Sequence, residues 1–145
     1  MLALLRSCPR LVAVIGRSRV GPALRERIMV AVSRANACEA CTRVHETWAL
    51  RAGVSAAELE DIGAGELVGL SAPERAAVVY ATALAEAHFG PIPPEIEALT
   101  DKHLDPERKR DIEAIARLMT LANTAVNTAD ELRRGLCRRD SAPAS

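Results

Sequence analysis

The chain of 145 residues carries 19 basic and 19 acidic side chains, so its formal net charge is zero and no whole-chain electrostatic footprint for nucleic acid or anionic lipid is visible. Hydrophobic residues make up 49%, enough for the core of one ordinary domain, whereas the aromatics Trp48, Tyr80 and Phe89 are too few to build stacking platforms for bases. The apolar opening MLALLRSCPRLVAVIG is interrupted by Arg6 and Arg10, falls short of the roughly 20 residues a bilayer span needs and lacks the flanks of a signal peptide. The expectation is therefore a cytoplasmic protein with neither a nucleic-acid nor a membrane partner.

Helix signals then recur along the chain, and alternating strand patterns hardly occur. Pro22 follows Gly21 at a first helical turn, and ALRERIMVAVSRA is apolar nearly all round from Ile28 to Val32, which predicts a buried central helix. A second helix is predicted from near Cys38 to Ala52, with Gly53 as its left-handed stop. Ser55 to Glu58 and Ser71 to Glu74 have capping-box spacing and mark two further helix starts. GPIPPEIEAL breaks the chain and permits a short helix from Glu95. Asp105 and Pro106 open a long terminal helix in which Ile112, Ile115, Ala116, Met119, Ala122 and Val126 keep helical spacing. The predicted organisation is one all-helical domain over residues 1–136, with residues 137–145 as a flexible tail. An Ala-rich, aromatic-poor helical layer of this size also predicts self-association.

Four cysteines in a chain of this class are poorly explained as a structural disulfide framework, and the stretch ANACEACTRVHETWALRAG pairs two of them closely. Cys38 and Cys41 are separated by one helical turn, as are Cys41 and His45, so the three side chains share a face. Free N–H groups and the dipole at the start of the helix stabilise a thiolate, most strongly at Cys38, while His45 acts most directly on Cys41. Position alone does not decide which thiol attacks. Two chemistries compete: disulfide exchange, and attack on a peroxide with a sulfenic acid resolved by the neighbouring thiol. The second needs an acid-base relay, and Glu26, at the front of the buried helix, is the candidate.

Glu26, Cys38, Cys41 and His45 in the spacing E-x11-C-x2-C-x3-H resemble the active-site signature of the alkylhydroperoxidase D-like branch of the carboxymuconolactone decarboxylase family. The glycine stop and short acidic helix in WALRAGVSAAELEDI agree with that pattern, and the similarity runs from about Pro22 to Leu132. The resemblance implies a compact, homo-oligomeric all-α bundle, a trimer or a hexamer, that reduces hydroperoxides with its cysteine pair and needs no metal or haem. It further implies Cys41 as peroxidatic thiol, Cys38 as its resolving partner and proton donor, Glu26 and His45 as the relay, and a dithiol electron donor such as a lipoyl-bearing adaptor. The sequence departs from the best-studied peroxidase type at Ala40, where that type carries a second histidine before the second cysteine.

Other readings stand beside this one. The pair also fits disulfide exchange without peroxide chemistry, and the scaffold also fits a non-catalytic binding module. Zinc could be held by Cys38, Cys41 and His45 with Glu26 or Cys8 as the fourth ligand. Trp48 reads as a wall that excludes water from His45. Asn123 and Asn127 share a face of the terminal helix and are equally open to a site role or to cross-helix hydrogen bonding. Cys8 and Cys137 lie outside the motif, and His88 and His103 flank the proline connector as solvent-facing imidazoles.

Overall fold

A computed structural model describes residues 19–140, with side chains to Arg134, so the opening apolar stretch, Cys8, the side chain of Cys137 and residues 141–145 lie outside the described residues. Every regular element among the described residues is a helix: α1 Pro22–Ala35, α2 Glu39–Arg51, α3 Ala56–Ala64, α4 Ala72–Glu86, α5 Pro94–His103 and α6 Pro106–Asp140. The backbone of residues 137–140, at the start of the predicted tail, continues α6. No described helix is long and apolar enough to cross a membrane.

The starts are where the local chemistry puts them. Pro22 occupies the first turn of α1, where its missing N–H costs nothing. Ser55 and Glu58 form a reciprocal capping box for α3, and Glu74 accepts from both the N–H and the hydroxyl of Ser71 at the start of α4. Asp105 Oδ1 accepts from the N–H groups of Glu107 at 3.0 Å and Arg108 at 2.9 Å, satisfying two orphan donors of α6. Gly53 and Gly65 close α2 and α3 in the left-handed conformation.

Helix α1 is the centre of the molecule and packs against α2, α3, α4 and α6. Its all-round apolar run explains this: Ile28, Val30 and Val32 are completely buried although they point in different directions. The seam on α6 shifts from the predicted one. Ile112, Ile115, Ala116 and Met119 are buried, but Ala122 and Val126 are exposed and the seam continues through Asn123. The i, i+4 row from Ile112 through Ala116 leads away from Ala122, and α1, which faces α6, ends at Ala35 near the level of Asn123.

One ion cluster ties the helix starts together. Arg27 of α1, only 12% exposed, reaches Glu58 at 2.6 Å and Glu74 at 3.2 Å, so the capping carboxylates of α3 and α4 share one guanidinium. Ser55 N–H donation and then Arg27 hold the Glu58 carboxyl below its ordinary value of 4.5. Glu74 is lowered too, first by the Ser71 hydroxyl, against an opposing desolvation. Carboxyls lowered in the folded state bind fewer protons there than in the unfolded chain, so their stabilisation is present above the ordinary value and is lost as the pH falls through the depressed folded values. Urea midpoints should therefore fall more steeply between neutral pH and pH values below 4.5 in the native protein than in a Glu58→Gln/Glu74→Gln variant. Equal pH dependence in the two proteins would remove this cluster from the acid response.

Candidate functional site

The turn between α1 and α2 builds the site. Ala37 adopts the left-handed conformation at φ 51°, a position that favours glycine. Its N–H donates to Arg34 C=O and the N–H of Cys38 donates to Ser33 C=O, both at 2.9 Å, which is the Schellman closure of α1. Cys38 is at once the end of that motif and the N-cap of α2, and its carbonyl accepts from the N–H of Thr42 at 2.9 Å and from the Thr42 hydroxyl at 3.0 Å. A single residue thus joins two helices, and its backbone is over-determined.

Side chains from α6 brace the same turn. Asn127 Nδ2 donates to Asn36 C=O at 3.0 Å, and Asn36 Nδ2 donates to Thr120 Oγ1 at 3.1 Å. Asn123, fully buried, accepts from the Ser33 hydroxyl at 3.4 Å and donates to Val32 C=O at 3.5 Å. The two asparagines therefore make cross-helix hydrogen bonds, the second of the two roles open from the sequence. Ala37, at φ 51°, carries a conformational cost of about 1–2 kcal/mol for a residue with a Cβ, and the Schellman bonds together with the Asn127 brace offset it.

Cys38 and Cys41 are joined as a disulfide with Cα atoms 5.4 Å apart. Cys38 is at the N-cap and Cys41 in the first turn of α2, where the N–H groups of the opening residues have no intrahelical acceptor and the positive end of the dipole lies. Reduction of the bond would leave both sulfurs in that field, which favours the charged form of a thiol. Both residues are buried, Cys38 to 1% and Cys41 to 8% exposure, yet Cys38 forms part of the lining of an open depression of about 420 Å³ together with Arg34, Ala37 and Thr42. Arg34 in turn pairs with Glu46 at 2.6 Å, fixing the end of α1 against α2.

One turn beyond Cys41, His45 is buried and its Nδ1–H donates to Glu26 Oε2 at 2.9 Å. A carboxylate only accepts, so this bond selects the Nδ1–H tautomer and leaves Nε2 as the basic nitrogen. Glu26 comes from α1, nineteen residues earlier, and is itself buried, with Arg25 Nε 3.4 Å from its other oxygen. The predicted residues Glu26, Cys38, Cys41 and His45 are thus gathered where α1 crosses α2. Trp48, itself 48% exposed, meets the ring of the buried His45 edge-on with centroids 5.2 Å apart.

Ala40 is exposed. No three His, Cys, Asp or Glu side chains among the described residues converge as metal ligands. Sequence reasoning did not single out Ser33, Asn36, Ala37 and Thr42, which hold the Cys38 backbone. The available signal was the Asn-Ala pair immediately after a helix, since asparagine often marks a helix end.

The described residues thus form an all-helical fold with a CxxC disulfide at a helix start and a buried histidine-glutamate pair one turn away. The sequence matches the carboxymuconolactone decarboxylase family over residues 10–87, more than half of the chain, and the protein belongs to that family. No curated protein matches the chain.

Proposed function

We propose that the protein is a thiol-dependent peroxidase that reduces hydroperoxides with Cys38 and Cys41. The observation that carries this reading is the placement of a formed Cys38–Cys41 bond in the first turn of α2, one turn from a buried imidazole held by a carboxylate. In the reduced protein the Cys41 thiolate attacks the distal oxygen of R–O–O–H. The O–O bond breaks, Cys41 becomes a sulfenic acid, and the leaving alkoxide takes a proton from the relay to become R–OH. The Cys38 thiolate then attacks the Cys41 sulfur, the S–O bond breaks, and a proton delivered to the departing oxygen makes water. Two thiols and one hydroperoxide yield one disulfide, one alcohol and one water.

Glu26 acts through His45. It holds the ring with Nε2 as the basic nitrogen and stabilises the imidazolium that forms when that nitrogen takes the thiol proton, which is afterwards available to the leaving oxygen. Recycling requires a dithiol donor, whose two thiols become a disulfide as the Cys38–Cys41 bond is reduced, and a lipoyl-bearing adaptor is of that class. A homo-oligomer, trimer or hexamer, in the cytoplasm completes the reading.

The second reading is a dithiol-disulfide oxidoreductase without peroxide chemistry. Ala40 favours it, because an alanine supplies no proton next to Cys41. Titration of the reduced protein with an organic hydroperoxide, followed by mass spectrometry of the peptide spanning Cys38 and Cys41, separates the two. The peroxidase reading expects one equivalent to form the disulfide. Thiols that stay reduced with peroxide but are oxidised by a disulfide donor would establish the exchange reading.

A further inference from the structure

Beside the line of Cys41 and His45, α2 presents a second row that nothing among the described residues covers. Val44 is 47% and Trp48 is 48% exposed, and Arg51 in the last turn is exposed as well. Val44 and Trp48 are four residues apart and Trp48 and Arg51 three, so the side chains adjoin in one strip. The strip begins next to Cys41, passes the imidazole that Trp48 meets edge-on, and ends at a guanidinium. Past Trp48 the surface dips into an open depression of about 430 Å³, lined by Arg25, Glu26, Trp48 and Arg51 together with Pro22 and Ala52. Its charges are two cations against Glu26, whose carboxylate is already engaged by His45 and Arg25. With Arg25 engaged on Glu26, the exposed Arg51 is the cation that adjoins the apolar face.

We propose that this strip binds an amphipathic hydroperoxide that carries a carboxylate. The carboxylate lies on Arg51, the apolar chain runs along Trp48 and Val44, and the peroxide end reaches Cys41. Cys41 and Arg51 are ten residues apart, about 15 Å along the axis, and the lean of helical side chains toward the N-terminus shortens the span. That is the reach of a medium or long acyl chain, and a short alkyl hydroperoxide cannot touch both ends. The pairing of one cationic end with an aromatic-aliphatic face selects a fatty-acid type of ligand by charge and by shape.

The inference rests on the peroxidase reading for its chemistry, whereas binding can be measured apart from it. Trp48 is the single tryptophan of the chain, so its emission reports the strip directly. Dodecanoate below its micellar concentration should change that emission saturably in the reduced protein, and Arg51→Gln should shift the midpoint to about ten-fold higher concentration, the loss expected for a charged hydrogen bond. In stopped-flow oxidation, Arg51→Gln should lower the ratio of the linoleate hydroperoxide rate to the cumene hydroperoxide rate by about ten-fold.

No saturable change with dodecanoate, or the same titration in Arg51→Gln, overturns the proposal. So does emission of a buried indole in the free protein combined with dissociation of an oligomer on Trp48→Ala, which assigns the strip to a second copy of the chain. Dodecanoate binding in a protein whose thiols no hydroperoxide oxidises overturns the peroxidase reading and the substrate assignment, and leaves the carboxylate contact standing.

Discussion

Replacing Cys41 with serine is expected to abolish peroxide consumption, a loss of about a thousand-fold or more, because a serine hydroxyl remains un-ionised where a thiol in the same field is the nucleophile. Replacing Cys38 with serine should have a different result. One equivalent of hydroperoxide should still react, a sulfenic acid should accumulate on Cys41, and turnover should stop because no thiol is left to expel its oxygen. Trapping with a sulfenic-acid reagent and mass spectrometry reads both variants. The assignment of the two roles follows the resemblance, and Cys38, at 1% exposure, has its backbone held on both sides. A loop closed between residues three apart restrains the unfolded chain little, so both variants should keep their fold and the losses report chemistry. Accumulation of sulfenic acid on Cys38 in the Cys41→Ser protein would exchange the two roles. Full peroxide consumption by Cys41→Ser would overturn the assignment of the peroxidatic role to Cys41.

What could be read from the chain follows from the range of the forces involved. The starts of α1, α3, α4 and α6 are encoded within four residues each, by Pro22, the Ser55 and Ser71 boxes and Asp105, so they are legible locally. The meeting of Cys38 with Cys41 is equally local, one turn at a helix start. The contact between Glu26 and His45 is of another kind. It joins two helices, and only the resemblance placed the two residues together before the packing of α1 on α2 did so in space.

The left-handed Ala37 was hidden because its residue type disfavours the conformation, which is imposed by the Schellman bonds and by Asn127 from ninety residues away. The exposure of Ala122 and Val126 was hidden for a related reason. Apolar spacing tells which side of a helix can be buried, but not where the helices facing it stop. Trp48 shows the same limit, since its contact with His45 could be read from one-turn spacing but its own 48% exposure could not.

Glu26→Gln is expected to slow the peroxide reaction by about a hundred-fold, toward the lower end of what a positioned acid-base group contributes. The amide can still accept the Nδ1–H of His45 through its carbonyl oxygen, so the imidazole should keep its place, but a neutral partner no longer stabilises the imidazolium. Position and charge are thereby separated. A purely structural role would slow every reaction of Cys41 alike, whereas a relay should matter most where a leaving oxygen must be protonated. Alkylation of reduced Cys41 by iodoacetamide needs the thiolate and no such proton. The expected signature is therefore a fall in the peroxide rate clearly larger than the fall in the alkylation rate, with partial recovery of the first in Glu26→Asp. Glu26→Leu should add a stability loss of about 1–3 kcal/mol, because it leaves the buried Nδ1–H of His45 without its acceptor, and a urea midpoint records that loss separately. Equal falls in both rates for Glu26→Gln would make Glu26 a structural support, and unchanged rates would leave His45 to act without it.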